Sequence, residues 1–229
     1  MKILAIDTAT RVIRIALLSG NKFFSVEKDL KFGEYEGVLL LIKSLLGKAK
    51  VKIEDIDYFG VCNGPGSFTG MRIGLSVVKA LAYSFKKPII AYKSLDLLAW
   101  SLKDDFSDLL CVMQDARRGN VYSAVYVNSR NFRRISSYAL TDVKQMLNRL
   151  SKISKQHKIY FCGDATLDYK DNIEKVFPES SIIGNKGYRL TSKAMIYWIK
   201  NNIGSRVSSF DVSPFYMYPK DCQVRKPVE

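Results

Sequence analysis

The chain has 229 residues, 47% of them hydrophobic, so it is long enough for one large or two small domains with a buried core, which excludes an intrinsically disordered protein. Its 36 Lys and Arg residues against 22 Asp and Glu residues give a formal net charge of +14, which fits either a polyanionic partner such as nucleic acid or only a lysine-rich solvated surface. The longest apolar run, residues 194–199, is too short to span a membrane, and residues 3–6 are too few for a signal-peptide core, so we expect a cytoplasmic protein without membrane contact.

The first half of the chain predicts three strands followed by alternating helices and strands. The first strand ends in an acid, Asp7, and Gly20 with Asn21 makes a hairpin turn between the second and third strands. Gly47 closes the first helix, and Ser94 caps the last one. In chain order the predicted elements are strands at residues 2–7, 12–19 and 22–28, a helix at 34–46, a strand at 58–62, a helix from a glycine-rich loop to residue 85, a strand at 89–92 and a helix that ends near residue 102.

The second half repeats this order of elements. Its first strand again runs into an acid, Asp115, and Thr141 caps its first helix. The predicted elements are strands at residues 109–114, 121–127 and 132–138, a helix that ends at residue 150, a strand at 159–162, a helix at 167–176, a strand at 181–183 and a helix at 190–202.

Both halves therefore have the order βββαβαβα, and a repeated unit of about 100 residues indicates duplication into two lobes around a cleft. This α/β pattern is the architecture of the actin-like ATPase fold (ASKHA), which sugar kinases share. We predict an N-terminal lobe at residues 1–105 and a C-terminal lobe at residues 106–229, with the boundary in the charged loop of residues 103–107.

The glycine-rich segment of residues 63–74, Asn-Gly-Pro-Gly-Ser-Phe-Thr-Gly-Met-Arg-Ile-Gly, lies between a predicted strand and a predicted helix. Backbone N–H groups at such a position can converge on an anion, and Ser67 or Thr69 could cap the helix. The segment is neither a Walker A loop, because no Gly-Lys-Ser/Thr is present, nor the GxGxxG dinucleotide motif. Its composition fits both a phosphate loop and a tight strand-to-helix turn.

The turn after the first strand is where an actin-like ATPase would hold a metal-bound phosphate. Asp7 could orient Mg²⁺ through water, and Thr8 and Thr10 could donate hydrogen bonds to a phosphate. Active kinases of this fold have a glycine in this turn, whereas this chain has Ala9, and the corresponding turn of the second half has Ala116. Both phosphate hairpins therefore look degraded, and the alternative is that each acid only satisfies the turn after its strand.

Cysteine and histidine usage argues against metal chemistry. Cys62, Cys111, Cys162 and Cys222 lie far apart with no CxxC pair, and three of them lie in apolar runs typical of buried, reduced thiols. His157 is the only histidine, so no HExxH zinc motif and no pair of histidines for acid–base catalysis can be assembled. We expect no metal site and no catalytic residue of these types.

The two long helices of the first half are too apolar for helices with a single buried face. Residues 38–42 read Val-Leu-Leu-Leu-Ile, and residues 71–85 are apolar nearly all round. A helix with two apolar faces is either sandwiched in a core or buried against a partner, and the second interpretation is favoured in a chain of this length. The predicted partner interface comprises Tyr35, Val38, Leu39, Ile42, Met71, Leu75 and Val78.

Several segments in the same order along the chain resemble one protein family. Residues 64–74 resemble the signature of the bacterial TsaB proteins, whose usual form differs only by Leu at Met71. Further similarity is found in residues 3–8, 115–122, 162–165 and 214–216. The chain departs from the family at Glu34 and Tyr35, where His-Ser is common, and at Tyr218, where Arg is usual.

The resemblance implies an actin-like fold and a role in tRNA modification. TsaB proteins support TsaD, the related transferase that attaches threonylcarbamoyl to adenosine 37 of tRNA (t6A37), together with the ATPase TsaE. The chain is thus expected to be a non-catalytic subunit that forms a heterodimer with TsaD, forms a homodimer in isolation through the same first-half helices, and meets tRNA through the complex. The resemblance implies no cofactor of its own and leaves open ATP or ADP with Mg²⁺ at the complex interface.

The segments predicted to lie near such a nucleotide are the first turn and the signature loop, with Asp7, Thr8, Gly64, Pro65, Gly66, Ser67, Phe68, Thr69, Gly70 and Arg72. Two other functions stay open. One is an ATP-binding kinase or ATPase of the actin-like fold, against which Ala9 and Ala116 argue. The other is a direct tRNA-binding module that uses the basic clusters at residues 117–118, 133–134 and 220–226.

Overall fold

The computed structural model describes residues 1–10, 12–29, 37–128, 131–154, 157–183 and 191–218. Within these ranges, the first half forms a five-stranded sheet with three α-helices. Its elements are β1 (Lys2–Asp7), β2 (Val12–Ser19), β3 (Lys22–Asp29), α1 (Val38–Ala49), β4 (Tyr58–Cys62), α2 (Phe68–Ser84), β5 (Ile89–Tyr92) and α3 (Ser94–Ser101).

The second half forms a six-stranded sheet with four α-helices among the described residues. Its elements are β6 (Leu109–Asp115), β7 (Asn120–Asn128), β8 (Phe132–Arg134), β9 (Ala139–Asp142), α4 (Val143–Ile153), β10 (Ile159–Cys162), α5 (Ala165–Asp168), α6 (Lys170–Val176), β11 (Ser181–Ile182) and α7 (Ser192–Asn201).

The two sheets have the same topology. The strand order is β3-β2-β1-β4-β5 in the first and β8-β7-β6-β10-β11 in the second. In each sheet the first three strands of the half are antiparallel neighbours, and the later two run parallel to its first strand. This repeated mixed sheet confirms the predicted α/β fold with two duplicated actin-like lobes.

The third strand of the second half differs from the prediction of one strand over residues 132–138. Two short strands, β8 and β9, pair with opposite ends of β7. Between them the hydroxyl of Ser136 accepts a hydrogen bond from the backbone N–H of Val125 at 2.9 Å. A side chain therefore replaces a backbone acceptor at this point, which interrupts the ladder.

Several predicted helix ends are corrected by the cap geometry. Asp142, rather than Thr141, caps α4, because its Oδ1 accepts from the N–H groups of the first turn while Thr141 pairs within the sheet. Gly47 lies inside α1, which ends at Ala49 and is followed by Lys50 in the left-handed region with φ of 55°.

Two other boundaries also differ from the expectation. Ser94 is the first residue of α3, not its cap. The predicted helix over residues 167–176 is divided at Tyr169 into α5 and α6. The predicted helix starts at Glu34 and at residue 190 lie outside the described residues.

The elements stack in five layers. α1 and α2 cover one face of the first sheet, with α1 over β2 and β3 and α2 over β4 and β1. α7 covers the opposite face of that sheet, while α3 packs on β6 and β7 of the second sheet. α4 and α6 cover the outer face of the second sheet. The last helix of each half therefore lies between the two sheets.

A single apolar core joins the two halves. It combines side chains of both sheets and both central helices, including Ile3, Leu98, Leu110 and Met195. A Cβ on Gly60 would overlap the Ile199 side chain, so β4 and α7 approach closely. Whether residues 1–105 and 106–229 are separate domains stays a prediction. Across the described ranges, no helix is both long and apolar enough to cross a membrane.

Candidate functional site

The first turn, which follows β1 at residues 8–10, lies beside the signature loop of residues 64–74. The two segments are neighbours because β1 and β4 are parallel and their carboxyl ends lie at the same edge of the sheet. The backbone N–H of Ser67 donates to the carbonyl of Ala9 at 2.7 Å. The hydroxyl of Thr8 donates to the carbonyl of Gly70 at 2.6 Å and is buried. The structure therefore brings together the two segments that the sequence predicted to form one site.

Glycine is required where the loop and α2 touch the first turn. A Cβ on Gly66 would overlap the carbonyl oxygen of Ala9, and one on Gly74 would overlap the Thr8 hydroxyl. Ser67, one of the two capping candidates, is the cap of α2, because its hydroxyl accepts from the Gly70 N–H at 3.1 Å. The glycine pattern thus serves close packing of backbone against backbone.

Asp7 is fully buried at the centre of this contact. Its Oδ1 accepts from the Ala9 N–H at 2.8 Å, whereas Oδ2 has no hydrogen-bond partner among the described residues. Burial raises the pKa of the Asp7 carboxyl, and the nearby Arg14 guanidinium and the turn N–H groups offset part of that rise.

The hydroxyl groups of Thr8 and Thr10, which the sequence suggested could donate to a phosphate, are both hydrogen-bonded to protein groups. The Thr8 hydroxyl is used by Gly70, as described above. The Thr10 hydroxyl donates to the Val12 carbonyl at 3.1 Å and accepts from Nη1 of Arg14 at 2.8 Å. Both groups stabilise the turn itself.

Arg14 connects this turn to the last helix. Its side chain is buried, and Nε lies 3.9 Å from Oε2 of Glu27. Oε1 of Glu27 accepts from both the backbone N–H and the hydroxyl of Ser192, at 3.1 and 2.6 Å. A carboxylate of β3 therefore binds the first turn of α7 across the sheet, a contact that sequence reasoning did not predict.

The corresponding turn of the second half is also closed by its own acid. Oδ1 of Asp115 accepts from the Arg117 N–H at 2.8 Å, and Arg117 and Arg118 have positive φ. The backbone N–H of Asp115 donates to Oδ1 of Asp164 at 2.9 Å, and burial raises the pKa of Asp164. Of the two interpretations of these acids, the structure supports the turn-satisfying one.

The C-terminal segment of residues 212–218 crosses from the signature loop to the second-half turn. The Phe215 N–H donates to the Asn63 carbonyl at 2.7 Å. The Tyr218 hydroxyl donates to the Ala116 carbonyl at 2.6 Å. The segment therefore connects the signature loop to the second-half turn, which Tyr218 contacts. The sequence motif at residues 214–216 was the only signal for this arrangement.

Arg72 and Lys93 hold that segment in place. Nε of Arg72 donates to the Tyr216 hydroxyl at 2.7 Å, and its guanidinium lies 3.7 Å from the centre of the Phe68 ring. Nζ of Lys93 lies 4.1 Å from the centre of the Phe215 ring and donates to Oδ1 of Asn63 at 3.0 Å, and burial lowers the pKa of Lys93. The exposed cation of the signature is thus engaged with the chain's own aromatic rings.

Ser94 and Gln114 join the signature loop to the second sheet. The Ser94 hydroxyl donates to the Pro65 carbonyl at 2.6 Å and lies 2.8 Å from Oε1 of Gln114. The Ser94 N–H donates to the Gly64 carbonyl at 3.0 Å. The peptide bond between Gly64 and Pro65 is cis. The loop is therefore fixed from both halves of the chain.

Most of the predicted partner interface is corrected by the structure. Five of its residues pack into the apolar core against the first sheet: Val38, Ile42, Met71, Leu75 and Val78. Their side chains cover apolar strand residues of this same chain, so they are not available to a partner. Leu39 is 61% exposed, Tyr35 lies outside the described residues, and Leu40, which the prediction omitted, is 71% exposed.

The outward surface of α1 and α2 exposes apolar side chains beside the charged Lys43 and Lys48 of α1. The helices lie side by side, because they cover neighbouring strands on one face of the sheet. Along α2 the exposed residues after Arg72 are the small Ser76, Ala80 and Ser84 and the aromatic Tyr83, which is 64% exposed and contacts Phe210 edge to face. The half-buried Ile73, Val77 and Leu81 lie beside them. We call this the two-helix surface, defined by Leu39, Leu40, Ile73, Ser76, Val77, Ala80, Leu81 and Ser84.

Cysteine and histidine positions agree with the sequence analysis where they are described. Cys62, Cys111 and Cys162 are buried free thiols, and burial raises the pKa of Cys111 to about 12. Cys222 lies outside the described residues. His157 is exposed, with Nδ1 2.8 Å from Oδ1 of Asp108. Within the described ranges, no group of three His, Cys, Asp or Glu side chains could hold a metal ion.

Comparisons with known proteins assign the chain to a family. A family model described as TsaD, tRNA N6-adenosine threonylcarbamoyltransferase, matches residues 35–216. The chain is 33% identical over 187 residues to tRNA threonylcarbamoyladenosine biosynthesis protein TsaB of Bacillus subtilis, covering 80% of each chain. The solved structure of YeaZ from Pseudomonas aeruginosa has a TM-score of 0.75 at 22% identity, with coverage of 94% of this chain and 99% of that one, and therefore shares the fold.

The share of each protein that the match covers distinguishes TsaB from TsaD as the family of this chain. The transferase of Kosmotoga olearia is 31% identical over 111 residues, but the match spans only 42% of this chain and 34% of that protein. The TsaB relative matches over most of both chains. Together with the signature loop and the duplicated actin-like lobes, this establishes that the chain belongs to the TsaB family.

Proposed function

We propose that this chain acts in tRNA threonylcarbamoyladenosine biosynthesis as a non-catalytic subunit that binds and supports the TsaD transferase, with TsaE joining the pair. The observation that carries the proposal is the two-helix surface. Leu39 and Leu40 expose most of their side chains at adjacent positions of one helix, although the core beneath them is already filled. Adjacent exposed leucines on a helix are typical of a surface that a protein partner covers.

The shape of the surface favours a helical partner. The small side chains of Ser76 and Ala80 let another helix approach the backbone of α2 closely in the stretch before Tyr83, and the neighbouring leucines of α1 supply apolar area to bury. The transferase family model matches residues 35–216, which include both helices. This supports a partner with an equivalent helix pair, so that two pairs pack face to face. A second copy of this chain presents the same pair, and the homodimer would compete with TsaD.

The site geometry favours a subunit over the alternative of an actin-like kinase or ATPase. Asp7 is enclosed by protein, and the hydroxyls of Thr8 and Thr10 donate to backbone carbonyls. The C-terminal segment crosses from the signature loop to the second-half turn through Phe215 and Tyr218. These groups do not fit a metal-bound nucleotide between the lobes of this chain. A nucleotide at the interface with TsaD stays a prediction, as do a cytoplasmic location and contact with tRNA through the complex.

The interface is tested with Leu39→Glu, which places a charge on the two-helix surface without entering the core. We expect its affinity for the TsaD of the same genome, measured by calorimetry, to fall at least about tenfold, because a desolvated carboxylate replaces a buried apolar group. Leu167→Glu is the matched control, since Leu167 is 56% exposed on α5 of the other half. Equal affinity of the two variants would contradict the assigned interface.

The subunit role is tested by reconstitution of tRNA modification with TsaD, TsaE and the threonylcarbamoyl-adenylate donor. We expect modification to depend on this chain and to be restored by the Leu167→Glu control but not by Leu39→Glu. Modification at the full rate without the chain would end the proposal. Tight Mg-ATP binding with turnover by the isolated chain would instead support the kinase alternative.

A further inference from the structure

A cleft lies between the β2–β3 turn and α7, at the end of the first sheet opposite the signature loop. Ser19 at this end pairs with Lys2, whereas the signature loop contacts the turn after the other end of β1, at Thr8 and Ala9. The cleft has a volume of about 290 Å³. It is lined by Leu18, Gly20, Asn21 and Phe23 of the hairpin and by Lys193, Ile196, Tyr197 and Lys200 of α7. Neither the predicted site nor the two-helix surface includes these residues.

Two aromatic rings border the cleft from opposite elements. Phe23 is 38% exposed on the edge strand β3, and Tyr197 is 46% exposed on α7. Both lie beside an apolar floor that includes Ile196. Partly exposed rings over an apolar floor favour a flat ligand group that can stack, since stacking a base on an aromatic side chain contributes about 1–3 kcal/mol.

The cleft also carries paired positive charges. Lys193, Tyr197 and Lys200 follow the spacing i, i+4, i+7, which places them on one face of α7 and separates the lysines by roughly 10 Å along the helix. Among the described lining residues, the charged ones are these two lysines. The acid known to contact this helix, Glu27, is bonded to Ser192 and lies beside Arg14, so its charge is already partnered.

We propose that this cleft binds an unpaired nucleotide of an RNA strand, with the base stacked at Phe23 and Tyr197 and the adjoining phosphates at Lys193 and Lys200. Exposed lysines interact weakly with a single phosphate because water and salt screen them, so a polyanion is favoured over a free nucleotide. The aromatic rings favour an unpaired strand over a duplex, whose bases are already stacked. The net charge of +14 acts in the same direction. The choice of RNA as the polyanion rests on the proposed role in tRNA modification.

The proposal is tested with the full chain and a fluorescein-labelled single-stranded RNA of twelve nucleotides, by fluorescence anisotropy at several salt concentrations. Lys193→Ala/Lys200→Ala is expected to weaken binding about tenfold and to make the dependence of log K on log salt shallower by about 1.4, which is roughly 0.7 per lost phosphate contact. Tyr197→Ala is expected to weaken binding at least about fivefold with the salt dependence unchanged.

The matched control is Lys144→Ala/Lys152→Ala, which removes the same charge from exposed positions of α4. We expect this variant to bind RNA within twofold of the wild type. Equal losses in the two double variants, no loss in Tyr197→Ala, or equal binding of a twelve-base-pair RNA duplex would overturn the proposal. Thermal melts confirm that all variants fold, which is expected because the altered side chains are exposed.

TsaD binding by the same variants separates the two proposals. Loss of RNA binding with unchanged TsaD affinity supports the cleft as a distinct site. Absence of TsaD binding by the wild-type chain, with RNA binding still dependent on Tyr197, would count against the proposed function and leave the cleft assignment standing.

Discussion

The two carboxyl oxygens of Asp7 have different surroundings, although the whole side chain is buried. Oδ1 receives the Ala9 N–H, while Oδ2 is enclosed without a described hydrogen-bond partner. An ionised carboxylate loses its hydration in such a place. Attraction to the Arg14 guanidinium offsets only part of this desolvation cost, so the pKa of Asp7 is raised. A carboxyl whose pKa is raised by folding binds its proton more tightly in the folded state. Its ionisation therefore lowers stability as the pH rises.

Asp7→Asn tests this pH dependence, because asparagine keeps an acceptor for the Ala9 N–H and cannot ionise. We expect the two proteins to have similar free energies of unfolding near the unfolded pKa of 3.8. The variant should then become more stable than the wild type as the pH rises to the raised pKa, by about 1.4 kcal/mol for each unit of the shift. Urea unfolding at pH 4, 5.5 and 7 measures the difference. If the free energy of unfolding of the wild type instead increased relative to that of the variant as the pH rises, Arg14 would stabilise the charged form of Asp7 by more than burial destabilises it.

At the residue scale, the sequence predicted which segments meet but not how their polar groups pair. Thr8 and Ala9, which follow Asp7, contact the glycine loop, as expected where two neighbouring parallel strands end. The partner of the Thr8 hydroxyl is the carbonyl of Gly70, 62 residues away, and short-range patterns do not contain that pairing. The contacts of Phe215 and Tyr218 are of the same long-range kind.

At the scale of elements, the absence of a side chain at Gly74 allows α2 to approach the turn after β1. Gly74 lies in the middle of this helix, where glycine weakens a helix by roughly 0.5–1 kcal/mol relative to alanine. The position faces the Thr8 hydroxyl, and a Cβ there would overlap it. Close approach of α2 to the first turn therefore outweighs the propensity cost.

Gly74→Ala is expected to destabilise the protein by about 1–2 kcal/mol, even though alanine is the better helix former. The new methyl group displaces the Thr8 hydroxyl from its buried bond to Gly70, which costs more than the propensity gain. Gly47→Ala in α1 is the matched control, because a Cβ there meets nothing within 4 Å, and we expect it to be neutral or stabilising. Urea unfolding of both variants measures the contrast. If Gly74→Ala were more stable than the wild type, the Thr8 side chain could move away from the new methyl group without destabilising the protein.

The helices also show why an interface is harder to predict than a fold. Buried positions of α1 are Val38, Ile42, Leu45 and Leu46, which follow the spacing i, i+4, i+7, i+8 of a core-facing stripe. Leu39 and Leu40 fall outside that stripe. The position of each apolar residue around the helix, rather than the number of apolar residues, therefore separates the exposed leucines from the buried ones. For the second half, the split of its third strand depended on a serine hydroxyl that replaces a backbone acceptor.

At the scale of the whole molecule, each half contributes its final helix to the space between the two sheets. The final helix of the second half covers the first sheet, and the final helix of the first half covers the second sheet. Trp100 of α3 and Trp198 of α7 meet edge to face at 5.7 Å between the sheets. These are the only two tryptophans of the chain, so their fluorescence reports on the junction itself.

A fragment of residues 1–105 is therefore expected not to fold on its own, although it contains a complete first sheet. Without α7, the sheet face that includes Ile3 and Gly60 loses its cover, and α3 has no second sheet to pack against. The fragment should show no cooperative urea transition by far-UV circular dichroism. The full chain should unfold in one transition that coincides for circular dichroism and tryptophan fluorescence, since the shared core couples the halves. A fragment that unfolds cooperatively would instead identify residues 1–105 as an independent domain. The contacts of α7 would then join two domains that fold independently.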